Sequence, residues 1–157
     1  MTIDFKSVGI KTATVIQNTL SSSLAPVGIK TPLRIATNGD GIFGMNFSVA
    51  DQVHDNLRNL LLTNHGERLG LYDFGADLSP LTFELNSHEF NFDDEAVVRI
   101  KTAVSRYMPF VDLQTFESKI DNVDNKTIGK VQIRVAYSLP ALQVKNKIIE
   151  VTLYVGG

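Results

Sequence analysis

A chain of 157 residues, 43% apolar and 20% charged with a net charge of −2, suffices for one globular domain plus an arm, and about 70% of its unfolded surface can be buried without help from a metal or disulfide. The absence of cysteine excludes a disulfide scaffold, a thiolate metal site and a cysteine nucleophile, and fits a reducing compartment; no apolar run nears the roughly 20 residues that span a bilayer, and residues 1–6 lack the pattern of a secretion leader. Residues 1–97 hold 6 basic and 12 acidic side chains (−6) and residues 98–157 hold 9 and 5 (+4), which suits layered protein contacts or is uneven sampling of a solvated surface, but is not the basic face that nucleic acid demands.

Residues 1–47 are poor in charge and rich in Ser, Thr, Gly and Pro. Val8-Gly9-Ile10-Lys11-Thr12 returns as Val27-Gly28-Ile29-Lys30-Thr31, and neither copy extends into a helical or strand period. The segment is expected to be an extended arm lying on neighbouring proteins, or else a loosely attached terminus.

A first helix is expected from Ser48, a good N-cap with Asp51 three residues on. Val49, Val53, Leu57, Leu60 and Leu61 form its apolar stripe, and Gly66 is the natural left-handed residue beyond its end. Ser79-Pro80 allows one short helical turn. A second helix starts at Asn91 or Asp93, with Val97, Ile100, Ala103, Val104 and Tyr107 as its stripe, and Pro109 stops it. Residues 110–120 are a candidate strand. Val131, Ile133, Val135 and Tyr137 alternate with Gln132, Arg134 and Ala136, and Ile149, Val151, Leu153 and Val155 alternate with Glu150, Thr152 and Tyr154. The expected fold is α+β in two layers: an antiparallel sheet of three strands or slightly more, packed by two main helices over residues 48–157, with the arm at 1–47.

Between the helices lies Asn64-His65-Gly66-Glu67-Arg68-Leu69-Gly70-Leu71-Tyr72-Asp73-Phe74-Gly75-Ala76-Asp77-Leu78, then Leu81-Thr82-Phe83-Glu84. This stretch resembles the lysozyme-like baseplate wedge family of contractile phage tails, shared with type VI secretion baseplates. The family pattern Thr-x-x-Gly-Glu-Arg falls on Thr63, Gly66, Glu67 and Arg68; Phe-Gly-x-x-Leu falls on Phe74, Gly75 and Leu78; the Phe-Glu pair falls on Phe83 and Glu84. The resemblance covers about residues 48–155. One signature departs: the family's Glu-Pro-Arg after the second helix reads Met108-Pro109-Phe110 here, so apolar packing must replace the ionic contact or the contact is lost.

Physically, the corner after Gly66 is expected to be rigid. Glu67 can accept backbone N–H bonds, Arg68 can clamp Asp73, Asp77 or Glu84, Phe74 plugs the core and Gly75 lets the chain turn. A hydrolase reading competes with this structural one, because Glu67 with Asp73 or Asp77 could form a carboxyl pair. Against it, a neighbouring arginine keeps Glu67 ionised, and nothing in this tryptophan-free chain looks like a sugar cleft lined with tryptophan and tyrosine. His54, Asp55, His65 and His88 lack zinc spacing, and His54 is expected on the solvated side of the first helix. Asn38-Gly39-Asp40-Gly41 reads as a turn, and Phe74, Phe83, Phe90 and Phe92 as core or contact anchors. No metal, cofactor, nucleic acid or membrane partner is expected.

The resemblance implies a structural protein of the virion tail baseplate, assembled in the host cytoplasm, that links the baseplate to the tail sheath and seeds sheath assembly. Its implied partners are the tail sheath protein, other baseplate wedge proteins and the tail tube or its initiator. The last strand, with Ile149, Val151, Leu153 and Val155, is the expected sheath-binding element by strand addition at an open edge. Met108, Pro109 and Phe110 are the expected baseplate contact. The alternative is a peptidoglycan-degrading, lysozyme-like hydrolase.

Overall fold

The computed structural model describes residues 25–36, 42–83, 91–122 and 129–155. Readings that touch residues 8–12, 38–41, 84, 88, 90 and 123–125 lie outside them. The chain forms two compact units, Met1–Gln52 and Val53–Gly157.

In the first unit, β1 (Gly28–Ile29) pairs antiparallel with β2 (Met45–Asn46), Gly28 opposite Asn46 and Ile29 opposite Met45. The Val27 N–H donates to the Asn46 carbonyl at 2.7 Å and the Lys30 N–H to Gly44 at 2.9 Å; Ile35 and Phe43 form a further bridge. The second copy of the repeat contains β1, without extending into a strand period. Two-residue strands are held by cross-strand backbone bonds and are too short to carry an alternating pattern. Ile35 and Ile42 on this ribbon are largely exposed.

The first helix, α1 (Val49–Leu62), begins with the Gln52 N–H donating to the Ser48 carbonyl at 3.1 Å. Val53, Leu57, Leu60 and Leu61 are buried as the stripe predicts, while Val49 is exposed. A short helix, α2 (Ser79–Phe83), buries Leu81 and Thr82. In α3 (Phe92–Tyr107) the buried stripe is Phe92, Ala96, Ile100, Ala103 and Val104. It begins with Phe92 and Ala96, and Val97 is only half-buried. Asn91 occupies the N-cap position without a side-chain cap bond, and its amide instead donates to the Asp94 carboxylate at 2.5 Å. At the other end, the Met108 N–H closes the last turn on Val104 at 2.8 Å, and Pro109 prevents continuation.

The sheet consists of β3 (Asp112–Asn122), β4 (Gly129–Leu139) and β5 (Val144–Val155) in the order β3-β4-β5, all antiparallel. Val131 faces Leu153, Ile133 faces Val151 and Val135 faces Ile149, and all six side chains are buried. Each such burial stabilises the fold by about 1.5–3 kcal/mol, which makes this the energetic centre of the domain. Tyr137 is fully buried, and its hydroxyl lies 2.9 Å from Nδ1 of His54. His54 therefore does not occupy the solvated side of α1 as expected: a buried phenol requires a polar partner, and α1 supplies it. A 3₁₀ turn, Pro140–Leu142, joins β4 to β5, with Gln143 and Asn146 both left-handed at φ 55.

Candidate assembly surfaces

The corner between α1 and α2 caps α1. Thr63 donates both its N–H (3.1 Å) and its hydroxyl (2.6 Å) to the Asn59 carbonyl. The Ala76 N–H reaches the Leu60 carbonyl at 3.0 Å and the Asp77 N–H reaches Thr63 at 3.3 Å, so a distant loop satisfies carbonyls that the helix end leaves open. Gly75 makes this return possible: its φ is +119, and a Cβ there would sit 2.1 Å from the Thr63 carbonyl oxygen. Gly66, at φ +85, donates its N–H to the Tyr72 carbonyl at 2.7 Å.

Glu67 accepts the Asn64 backbone N–H and the Asn64 side-chain amide, both at 2.9 Å. These bonds, the backbone one first, hold its carboxyl below the usual carboxylate range. Ionisation of Glu67 is therefore secured by Asn64 and not by an arginine. The side-chain Oδ1 of Asn64 in turn accepts the Ser79 N–H at 3.2 Å, tying the corner to the start of α2.

Arg68 does not clamp a carboxylate among the described residues. Its guanidinium lies 4.2 Å over the Phe74 ring, which meets Tyr107 edge-on at 4.9 Å. The acids expected for it belong to other arginines. Asp77 takes Arg99 at 3.1 Å and the His65 N–H at 3.2 Å, while Arg99 also donates to the Asp77 carbonyl at 2.6 Å. Asp73 takes the Tyr107 hydroxyl at 3.0 Å and the Arg106 guanidinium. The Tyr107 bond leads in holding the Asp73 carboxyl low, and burial, then Asp73, pushes the Tyr107 hydroxyl up. Phe74 is half-buried and does not plug the core; Leu78, 1% exposed, does. Phe83 is exposed at the end of α2, and Glu84 falls outside the described residues.

Two features read separately in the sequence meet here. A groove of about 720 Å³ is lined by Asn59, Glu67, Arg68, Phe74, Tyr107 and Phe110 among others. Met108 is buried and lines it, whereas Pro109 and Phe110 are exposed. The groove therefore joins the Gly-Glu-Arg corner to the Met-Pro-Phe segment. Chemically it presents an arginine face and aromatic surface. Glu67 and Asp73 are both held ionised, so neither is a proton donor of the kind glycoside hydrolysis needs. Among the described residues no three His, Asp or Glu side chains gather as a metal site.

The second surface is the sheet edge. Among the described strands, β5 pairs with β4 along one side and with no strand along the other, and the short helix α2 packs against it. Ile149, Val151 and Leu153 point into the core, so what they leave at the edge is backbone; Ile148, Glu150 and Tyr154 are exposed on the opposite face. Across that face, Glu117 is in register with Arg134, and Arg134 with Glu150. Arg134 donates to Glu150 Oε1 from Nε at 2.9 Å and from Nη2 at 2.5 Å, and stands 3.9 Å from Glu117. Glu150 pushes the Arg134 guanidinium still further toward its charged form.

Comparison with known proteins adds the following. The family described as baseplate wedge protein gp25 matches residues 48–143. A search of curated proteins found no match. The fold is similar to a chain in the cryo-EM structure of the anti-feeding prophage (AFP) baseplate, 6-fold symmetrised, at 20% identity and a TM-score of 0.52, covering 80% of this chain and 90% of that one. A crystal structure from Geobacter sulfurreducens, given the provisional name of tail lysozyme, aligns at 17% identity with a TM-score of 0.48 over 68% of this chain and 89% of that one.

Proposed function

This chain belongs to the baseplate wedge protein gp25 family, and on that premise we propose that it joins the baseplate of a contractile tail to the tail sheath and seeds sheath assembly. Its role is structural and its place is a phage-like baseplate. One observation carries the finer reading: β5 is a long outer strand whose inner face is already satisfied by the core, leaving an edge of backbone donors and acceptors with no strand beside it among the described residues. The first sheath subunits add a strand there, with backbone bonds for affinity and alternate side chains for register. The groove beside Phe110, together with the exposed apolar side chains of residues 25–47, takes the wedge proteins and the tube end. The mature location is the virion tail, after assembly in the host cytoplasm. We read the chain as non-catalytic, because Glu67, which lines the groove, and Asp73, which is held by Tyr107 and Arg106, are both kept below the usual carboxylate range.

Truncating β5 is a poor test, since Ile149, Val151 and Leu153 are core residues whose loss unfolds the domain. Electron microscopy of particles assembled without this chain is decisive: tubes on baseplates without sheath are expected, and normally sheathed tails would refute the role. The mode of attachment is read by placing single cysteines at Ile148, Glu150, Thr152 and Tyr154 of this cysteine-free chain. Strand addition gives cross-links to the sheath protein from these outward positions.

A further inference from the structure

We propose that the edge of β5 selects its partner by charge, and that the strand added there carries a Lys or Arg on its solvent face directly opposite Glu150. The proposal rests on the reading of β5 as the sheath-docking edge and adds the chemistry of the segment that docks.

The outer face of the sheet carries a row of alternating charge running from edge to edge: Glu117 on β3, Arg134 on β4 and Glu150 on β5. Within the row one guanidinium stands between two carboxylates, and Lys119 lines the same patch of the face. Arg134 directs both of its short bonds to Oε1 of Glu150, and Oε2 takes no bond among the described residues. Both carboxylates are about two-thirds exposed, 68% for Glu117 and 66% for Glu150. A residue directly opposite on an adjoining strand has its Cβ about 4.5–5.5 Å away, within reach of that second oxygen. A cation there continues the alternation; an anion meets Glu150 head-on.

The neighbours of Glu150 define the rest of the segment. Ile148 and Tyr154 are exposed on the same face, 52% and 71%, and Thr152 lies between Glu150 and Tyr154. The docking strand therefore has apolar side chains opposite Ile148 and Tyr154 and a small polar one opposite Thr152. On its other face, β-branched or aliphatic residues extend the layer made by Ile149, Val151 and Leu153. Its signature is an extended segment of the sheath subunit, apolar on its inner face, with one basic residue among the outward positions.

The test measures binding of the full chain to the purified tail sheath protein. Glu150→Lys is expected to weaken binding about tenfold, since it replaces an attraction with a like-charge contact. Glu117→Lys removes the weaker partner of Arg134 at the far edge and is expected to stay within about twofold of wild type. The combined Glu117→Lys, Arg134→Glu, Glu150→Lys variant keeps alternation within the sheet with every sign reversed. Its thermal midpoint stays near wild type while its binding falls as for Glu150→Lys, which separates edge charge from folding. The near-isosteric Glu150→Gln, which cannot upset the fold by like-charge contact, gives an intermediate loss. Wild-type binding by the reversed-row or Glu150→Gln variant overturns this proposal and leaves the docking edge intact; no binding by the wild-type chain overturns the sheath reading and this proposal together.

Discussion

Two hydrogen bonds from Asn64 decide how Glu67 behaves. Its folded pKa lies below the ordinary 4.5, so its contribution to stability is present above that value and is lost as pH falls through the folded pKa. The thermal midpoint of the wild-type chain should therefore drop from about pH 4.5 downward, and Glu67→Gln should flatten that part of the profile while leaving a peptidoglycan suspension as turbid as wild type does. An unchanged acid profile in Glu67→Gln would show that the Asn64 bonds do not control the group. That a carboxylate after Gly66 would accept a backbone N–H was legible, because the tight turn beyond the helix leaves N–H groups without partners and Glu67 stands three residues after Asn64. The partner of Arg68 was not. Asp73 and Asp77 are near it in sequence, yet Arg106 and Arg99, 33 and 22 residues further along than those two acids, hold them in space. A planar guanidinium facing an aromatic ring is equally satisfied, and nothing in spacing alone distinguishes the two outcomes.

At the scale of elements, Arg99 is the latch between α3 and the corner loop. It reaches both the carbonyl and the carboxylate of Asp77, itself in a left-handed conformation at φ 50. With Arg99 and Asp77 only 28% and 21% exposed, Arg99→Met is expected to cost about 1.5–3 kcal/mol in denaturant unfolding. Arg106→Met, which removes a pair 60% and 43% exposed, should cost less than about 1 kcal/mol. Equal losses would mean that the corner is not held through Arg99. Helices and strands with a sustained period were legible in their main positions: Val53, Leu57, Leu60 and Leu61 of α1, Ile100, Ala103 and Val104 of α3, and Val131, Ile133, Val135, Tyr137, Ile149, Val151 and Leu153 of the sheet are buried, whereas Val49 is exposed and Val97 and Tyr107 are half-buried. β1 and β2 were not, since two residues carry no period. The inward turn of His54 was also hidden, because its cause is the hydroxyl of Tyr137, 83 residues away.

At the scale of the whole molecule, the order of elements and the family were legible from the motifs between residues 63 and 84, whereas the groove was not. It exists because the end of α3 brings Tyr107, Met108 and Phe110 against Thr63, Arg68 and Phe74, a juxtaposition created by packing. Met108 is absorbed into the interior, and Phe110 stays half exposed on the groove that Arg68 also lines, so the end of α3 presents apolar surface there.

The charged row has a consequence for the solitary protein. Both outer strands end it in a carboxylate, so two copies approaching through β5, or β3 against β5, bring acid against acid or diagonally beside it in the registers that would match the strands. On the proposed reading of β5, the row opposes pairing of the edge with a second copy. Replacing Glu117 and Glu150 with glutamine should therefore raise self-association in sedimentation velocity. A wild-type chain that already dimerises through β5 would show that these carboxylates do not keep copies apart.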